Sequence, residues 1–324
     1  MKGIVAAVLA LTLFTSAWAA DYRLLSTWDN SYPAVPGMRD PFVKNLEAAT
    51  QGRIKLIVSG PEAVSPYEQL EPVSSGVFQF LFTAGAYHYG TTPFLSAVEA
   101  LGGTPESRVT AGVLDVVDRH YEKYGLKLIA LAMENDGSYN IFVKQPIGPS
   151  GDLQGRKIRS SATYHSVLKL LGASPVGMPA GEVYSALEKG VVDGGAWPVM
   201  GLLGYRWYEV AKYLVRPAFG WVATPLFMNR AAFNRLPEAD RRIVLEEGRK
   251  AAEGWQRESS RLAAEEEKAL LGKGMAITYM GDVQRAKLKQ VWSDGVWESA
   301  LRSSKTRADI EQLRSFAVSK GLSN

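Results

Sequence analysis

Apolar residues recur along this chain in two rhythms that take turns. Short apolar runs suited to strands occupy Tyr22–Trp28, Ile54–Gly60, Val77–Gly85 and Leu126–Ala132. Between them apolar residues fall at helical spacing, first Met38, Phe42, Leu46 and Ala49, then Val109, Val113, Val116, Val117 and Tyr121. Gly52 and Gly125 close these two stretches, and a shorter helix is expected near Tyr67–Ser75. Strands alternating with helices predict an α/β sheet with helices on both faces.

The alternation begins afresh after Asn135–Tyr139. The segments "NIFVK", "RKIRSS", "PVGM", "YLVRP" and "WVATPLFMN" read as strands, and Tyr164–Leu171 and Glu182–Gly190 as helices. "VVDGGAWP" (Val191–Pro198) reads as a strand running into a turn, with Gly194-Gly195 best taken as turn residues. The pattern therefore predicts two α/β units. From Pro237 to Leu271 no further proline occurs. At ~1.5 Å per residue this run would reach about 50 Å. That is longer than one unit needs, so a bent helix crossing both is expected.

The first residues break the pattern. Lys2 is the only charge before Asp21, Ile4–Phe14 is apolar apart from Thr12, and Ala17-Trp18-Ala19 has the small–any–small form of a cleavage site. This predicts a signal peptide over residues 1–19, removed after Ala19, and an exported protein, best suited to a bacterial periplasm. An uncleaved anchor fits less well, because the run falls short of the ~20 residues that a spanning helix needs. There is no cysteine, which excludes disulfides, thiolate metal sites and cysteine nucleophiles. A chain of 324 residues builds a large enough core without such staples. The net charge of +4 is spread out. No dense basic run suits a nucleic-acid backbone.

Catalytic motifs are missing. The sequence holds no G-x-S-x-G, H-E-x-x-H or P-loop pattern. Of its three histidines, His120 falls on the charged side of an amphipathic pattern and is expected in solvent. His88 and His165 have no partner at metal-ligand spacing. No cofactor or metal is expected. A binding site is better supported. Ligands of two-lobed α/β proteins sit at strand ends facing the cleft. There the pattern places Trp28, Tyr32, Thr83, Tyr87, Tyr139, Arg159, Tyr164, Trp197, Phe219 and Trp221. One permanent cation among rings, with few carboxylates, suits an apolar or aromatic monocarboxylate.

The segments "DLQGRKIRSS" (Asp152–Ser161) and "LGASPVGMPAGEVYSALEKGVVDGGAWP" (Leu171–Pro198) resemble the solute-receptor subunits of tripartite ATP-independent periplasmic (TRAP) transporters, dicarboxylate-receptor type. Ala48–Leu56 and Leu226–Val244 are similar as well, so the likeness covers nearly the whole mature chain. It implies a two-lobed periplasmic binding protein. Residues 20–136 with about 225–264 would form lobe I, and 137–224 with about 265–324 lobe II. The partners implied are an organic acid and the small and large TRAP membrane subunits. Arg159 falls on the family's selectivity arginine. Where many members carry a second arginine this chain has Tyr139. Where they carry asparagine it has Trp197, and where a metal-using branch has glutamate it has Ala196. These departures point toward a bulkier, more apolar acid than sialic acid or a short dicarboxylate. Two alternatives stay open: a secreted α/β enzyme that grips a carboxylate through Arg159, and the receptor of an ATP-driven importer.

Overall fold

The structure, a computed structural model, describes residues 20–323. The expected signal peptide lies outside the described residues. The strands are β1 (Ala20–Ser26), β2 (Ile54–Ser59), β3 (Phe80–Phe82), β4 (Leu126–Met133), β5 (Tyr139–Val143), β6 (Lys157–Ser160), β7 (Ser174–Gly177), β8 (Gly194–Pro198), β9 (Tyr213–Phe219), β10 (Ala223–Asn229) and β11 (Ala276–Tyr279). They form two sheets. One has the order β2-β1-β3-β10-β4, the other β11-β9-β5-β8-β6-β7. Within each, parallel pairs such as β1 with β2 and β6 with β8 adjoin antiparallel ones such as β10 with β4 and β5 with β8. This is the mixed α/β architecture that the pattern predicts.

The chain passes between the sheets twice through short segments, from β4 to β5 and back from β9 to β10. It passes a third time through one 35-residue helix, Glu238–Gly272, which leads to β11. This helix is continuous, and both sheets hold it. Gly248 lies against β4, where a Cβ would come within 2.6 Å of Ile129 Cγ2 and 2.8 Å of its carbonyl oxygen. Farther along, Glu266 Oε1 accepts from the backbone N–H groups of Gly201 and Leu203, both at 2.8 Å, just beyond β8 of the second sheet.

Four local readings need correction. The helix expected through Val109–Tyr121 is two helices, Pro105–Ala111 and Val113–Glu122, because Gly112 adopts φ +94° between them. The third strand is only Phe80–Phe82. Gly194-Gly195 is not a turn but the start of β8. A Cβ on Gly195 would enter the Phe142 ring on β5, so the pair permits close strand approach. Lastly, β11 and the helices Asp282–Leu301 and Arg307–Ser319 complete the molecule without having been anticipated.

The packing at Gly248 predicts that Gly248→Val costs about 1–3 kcal/mol through overpacking. Gly254, on the same helix, has nothing within 4 Å of a built Cβ, so Gly254→Ala should stabilise by up to about 1 kcal/mol. Urea unfolding followed by circular dichroism measures both. Equal effects at the two glycines would contradict this packing.

Candidate functional site

Arg159 lies in β6, opposite Val176 of β7 and Gly195 of β8. It is 1% exposed. Its Nε and Nη2 donate to the Met178 carbonyl at 3.0 and 2.9 Å, and Nη1 donates to the Ala196 carbonyl at 3.1 Å. A guanidinium has five N–H groups; after these bonds one remains on each terminal nitrogen. Among the described residues no carboxylate stands within ion-pair distance. The small residues of β8 leave Arg159 room, and Trp197 beside it places its ring 4.7 Å from Cζ.

Rings continue outward from Trp197. It meets Tyr32 edge-on at 5.7 Å, and Tyr32 lies 4.7 Å from Trp28. Trp28 meets Tyr87 at 6.0 Å, and Tyr87 meets Tyr67 at 5.2 Å. The set thus runs from the second sheet to the first. Burial raises the hydroxyl pKa of Tyr67, Tyr87, Tyr164 and Tyr205, and the Arg159 charge opposes the rise in every case. All four therefore share its field. Trp28 Nε1, Tyr87 Oη and Trp197 Nε1 are buried with no hydrogen-bond partner in bonding geometry. Gly201, at φ +103°, makes the packing possible, since a Cβ there would lie 3.1 Å from Trp197 Nε1 and 3.2 Å from Tyr32.

The remaining expected residues are placed differently. Tyr139 stands behind Tyr164, ring to ring at 4.8 Å, and its hydroxyl donates to Glu99 Oε1 at 2.9 Å. It supports a wall rather than offering a free polar group. The Thr83 hydroxyl is hydrogen-bonded to that of Thr27 at 2.8 Å. Phe219 packs on Trp292 at 5.3 Å. Trp221 is not brought to this group. It lies at the β9–β10 passage under the Arg108 guanidinium, 3.7 Å from Cζ, and donates from Nε1 to the Leu101 carbonyl at 2.8 Å. His120 is buried, contrary to expectation. Its Nε2 is 2.8 Å from Thr92 Oγ1, its ring stacks on Phe94, and Asp309 of the C-terminal helix lies 3.3 Å from Nδ1. Elements remote in sequence cover the face that looked solvated. Burial lowers its pKa to about 4 and that of His88 to about 3, so both are neutral packing residues.

Sequence reasoning missed Tyr67, Tyr205 and two buried carboxyls. Glu99 is 3% exposed. Its Oε1 also accepts from Ala223 N at 3.1 Å, so a single oxygen joins the first residues of β5 and β10. Glu134, just past β4, accepts from Trp255 Nε1 of the long helix at 3.1 Å. Burial raises Glu99 to about 8 and Glu134 to about 7. Each is a lone acid ending an apolar run, Phe94–Val98 and Leu126–Met133, and that is a readable signal. Among the described residues no group of three His, Asp or Glu side chains is placed to hold a metal.

Two sheets joined at a crossing, with a buried cation and a set of aromatic rings that spans both, give the two-lobed α/β architecture. The chain belongs to the bacterial extracellular solute-binding protein family 7 (DctP), whose model matches residues 25–302. Family members and structural neighbours are solute receptors rather than enzymes. The chain is similar to the ectoine-binding periplasmic protein TeaA of Halomonas elongata, 31% identical over 126 residues, 38% of this chain and 36% of that protein. The match thus spans about a third of TeaA. Its fold is that of Bordetella pertussis DctP7, an extracytoplasmic solute receptor binding pyroglutamic acid (TM-score 0.76, 22% identity, 92% of this chain and 99% of that one). It is likewise that of a TRAP periplasmic solute-binding protein from Desulfovibrio salexigens with bound orotic acid (TM-score 0.81, 20% identity, 93% and 99%). No described helix is long and apolar enough to cross a membrane.

The carboxyl at the crossing makes a pH prediction. Glu99 titrates near its ordinary value when unfolded and near 8 when folded. Its stabilising contribution is therefore complete below about 4.5 and is lost as pH rises toward 8. Glu99→Gln removes that loss. Chemical denaturation of both proteins from pH 4.5 to 8 should show the wild type falling relative to the variant by several kcal/mol. Parallel curves would mean that Glu99 ionises normally.

Proposed function

We propose that the chain is the substrate-capturing receptor of a TRAP transporter, taking up an organic acid and presenting it to the small and large membrane subunits. The observation that carries this reading is Arg159: buried, fixed by two backbone carbonyls, and without a carboxylate partner among the described residues. A buried charge lacking a counter-ion is costly. The two N–H groups left over form the donor set that a carboxylate accepts.

The ligand we propose is a flat, ring-bearing monocarboxylate with further acceptor atoms. Trp28, Tyr87, Tyr164 and Trp197 supply apolar faces, which favour a ring over a second charge. The Trp197 N–H, buried without a partner among the described residues, favours an acceptor along its body, while the Tyr87 hydroxyl is shared with the Trp28 indole and Arg159. That pyroglutamic and orotic acids, both cyclic, occupy the two neighbours named above agrees with this choice. Closure of the lobes around the acid would create the surface offered to the membrane subunits.

Arg159→Ala should weaken binding of a cyclic acid such as orotate by about 1.5–3 kcal/mol, the scale of a charged hydrogen bond. Arg159→Lys should do nearly as much, since an ammonium cannot present a parallel fork. Calorimetry measures both, and unchanged affinity in the alanine variant would sink the reading. A thermal-shift survey of carboxylic acids tests the ligand class: flat cyclic monocarboxylates such as orotate should raise the melting temperature more than succinate, malate or the puckered, polyhydroxylated sialic acid. The reverse ranking would overturn the ligand class while leaving the receptor reading intact. Binding should also survive EDTA, because the only Ala196 oxygen, its backbone carbonyl, already accepts from Arg159. Loss on chelation with recovery on calcium would show a metal in the site.

A further inference from the structure

The turn that follows β8 has two backbone N–H groups, of Gly201 and Leu203, that find no backbone acceptor among the described residues. Both donate to a single atom, Glu266 Oε1, at 2.8 Å each. Glu266 is 9% exposed and stands on the long helix, 65 and 63 residues farther along the chain. Burial raises its pKa, and the two N–H groups oppose the rise. Charged or neutral, Oε1 remains an acceptor. Leaving such N–H groups unpaired away from water is costly, so the turn has one favoured place relative to the helix.

The turn carries the packing around Trp197. A Cβ on Gly201 would lie 3.1 Å from Trp197 Nε1 and 3.2 Å from the Tyr32 ring, so the Gly201 backbone rests on both. Tyr205 stacks on Trp207 at 4.8 Å, and Trp207 stacks on Phe142 of β5 at 5.3 Å. Tyr205 and Trp207 both meet the Trp197 ring edge-on, at 6.3 and 5.6 Å. Bonds from Tyr205 N to the Gly201 carbonyl and from Trp207 N to that of Leu202, at 2.9 and 3.0 Å, close the turn on itself. Fixing Gly201 and Leu203 therefore fixes the residues that hold Trp197, whose ring lies 4.7 Å from Arg159 Cζ.

We propose that Glu266 is a positioning residue for the candidate site: through Gly201 and Leu203 it holds the Trp197 ring against Arg159, and so sets the affinity for a ring-bearing acid. The effect on affinity rests on the receptor reading above; the effect on the ring does not.

Glu266→Ala removes the acceptor, and Glu266→Gln keeps an amide oxygen in its place. Should the alanine variant fail to fold, Glu266→Met removes the oxygen while keeping the bulk. The first readout is the Trp197 indole N–H resonance of the ligand-free mature protein, assigned with Trp197→Leu. It should shift in the alanine variant and return close to its wild-type position in the glutamine variant. The second is calorimetry with orotate. Glu266→Ala should weaken binding about two- to tenfold, the worth of a well-placed aromatic contact, and Glu266→Gln should stay within about twofold of wild type. In a Trp197→Leu background Glu266→Ala should cost nothing further, since two residues that act as one are not additive. An unmoved resonance, equal losses in the glutamine and alanine variants, or losses that add to that of Trp197→Leu would overturn the proposal and leave Glu266 as an anchor for the helix alone. A resonance that moves as expected in a wild type that does not bind orotate would support the positioning role and overturn the ligand class instead.

Discussion

Arg159 carries a charge that it cannot shed, in a region from which water is excluded. Two carbonyl oxygens, of Met178 just past β7 and of Ala196 within β8, offset part of the cost, and the Trp197 face takes up more of it. Much of the local structure follows from this arrangement. Gly195 lets β8 approach β5, which sets the Ala196 carbonyl beside the guanidinium, and Gly201 lets Trp197 pack edge-on against Tyr32. Among the described residues no carboxylate stands within ion-pair distance of Arg159, so these carbonyls and the Trp197 face are what surround the charge.

The ring set draws from both sheets and links them across the crossing. Trp28 and Tyr87 follow strands of the first sheet; Tyr164 and Trp197 belong to the second. Between them the crossing is tied by carboxyls rather than by apolar packing alone. Glu99 bonds to the starts of β5 and β10, and Glu134 bonds to the long helix. Hydrogen bonds of this kind have narrow geometry. They define the passage between sheets more sharply than dispersion contacts would, while the segments themselves stay short enough to act as hinges. Trp255 adds a fixed point, since its ring lies where a Cβ on Gly37 would be, at 2.5 Å.

The alternation of apolar runs was enough to read most of the strands, the two α/β units, the passage near Asn135–Tyr139 and the long helix. Each is local: a period of two or of 3.6 residues declares itself within a short window. Arg159 was legible for a related reason, being a cation that ends a short apolar strand and is followed by small residues. The C-terminal helices were harder to see. Asp282–Leu301 buries Leu288, Trp292, Val296 and Ala300 at four-residue spacing with Trp297 beside them, but the exposed Val283 lies off that stripe and blurs the pattern.

Residue order alone determined most of the strands, the two α/β units and the long helix, though not β11 or the two helices that follow it. Only the tertiary structure decided what each polar group does. His120 looked solvated until Phe94, Thr92 and Asp309 closed over it. Tyr139 looked like a ligand contact until Glu99 took its hydroxyl, and Trp221 until Arg108 stacked on it. The reason is physical. Secondary structure is set by neighbours a few residues away, whereas burial and hydrogen-bond pairing are set by groups brought together from more than a hundred positions apart, as with Glu99 and Ala223.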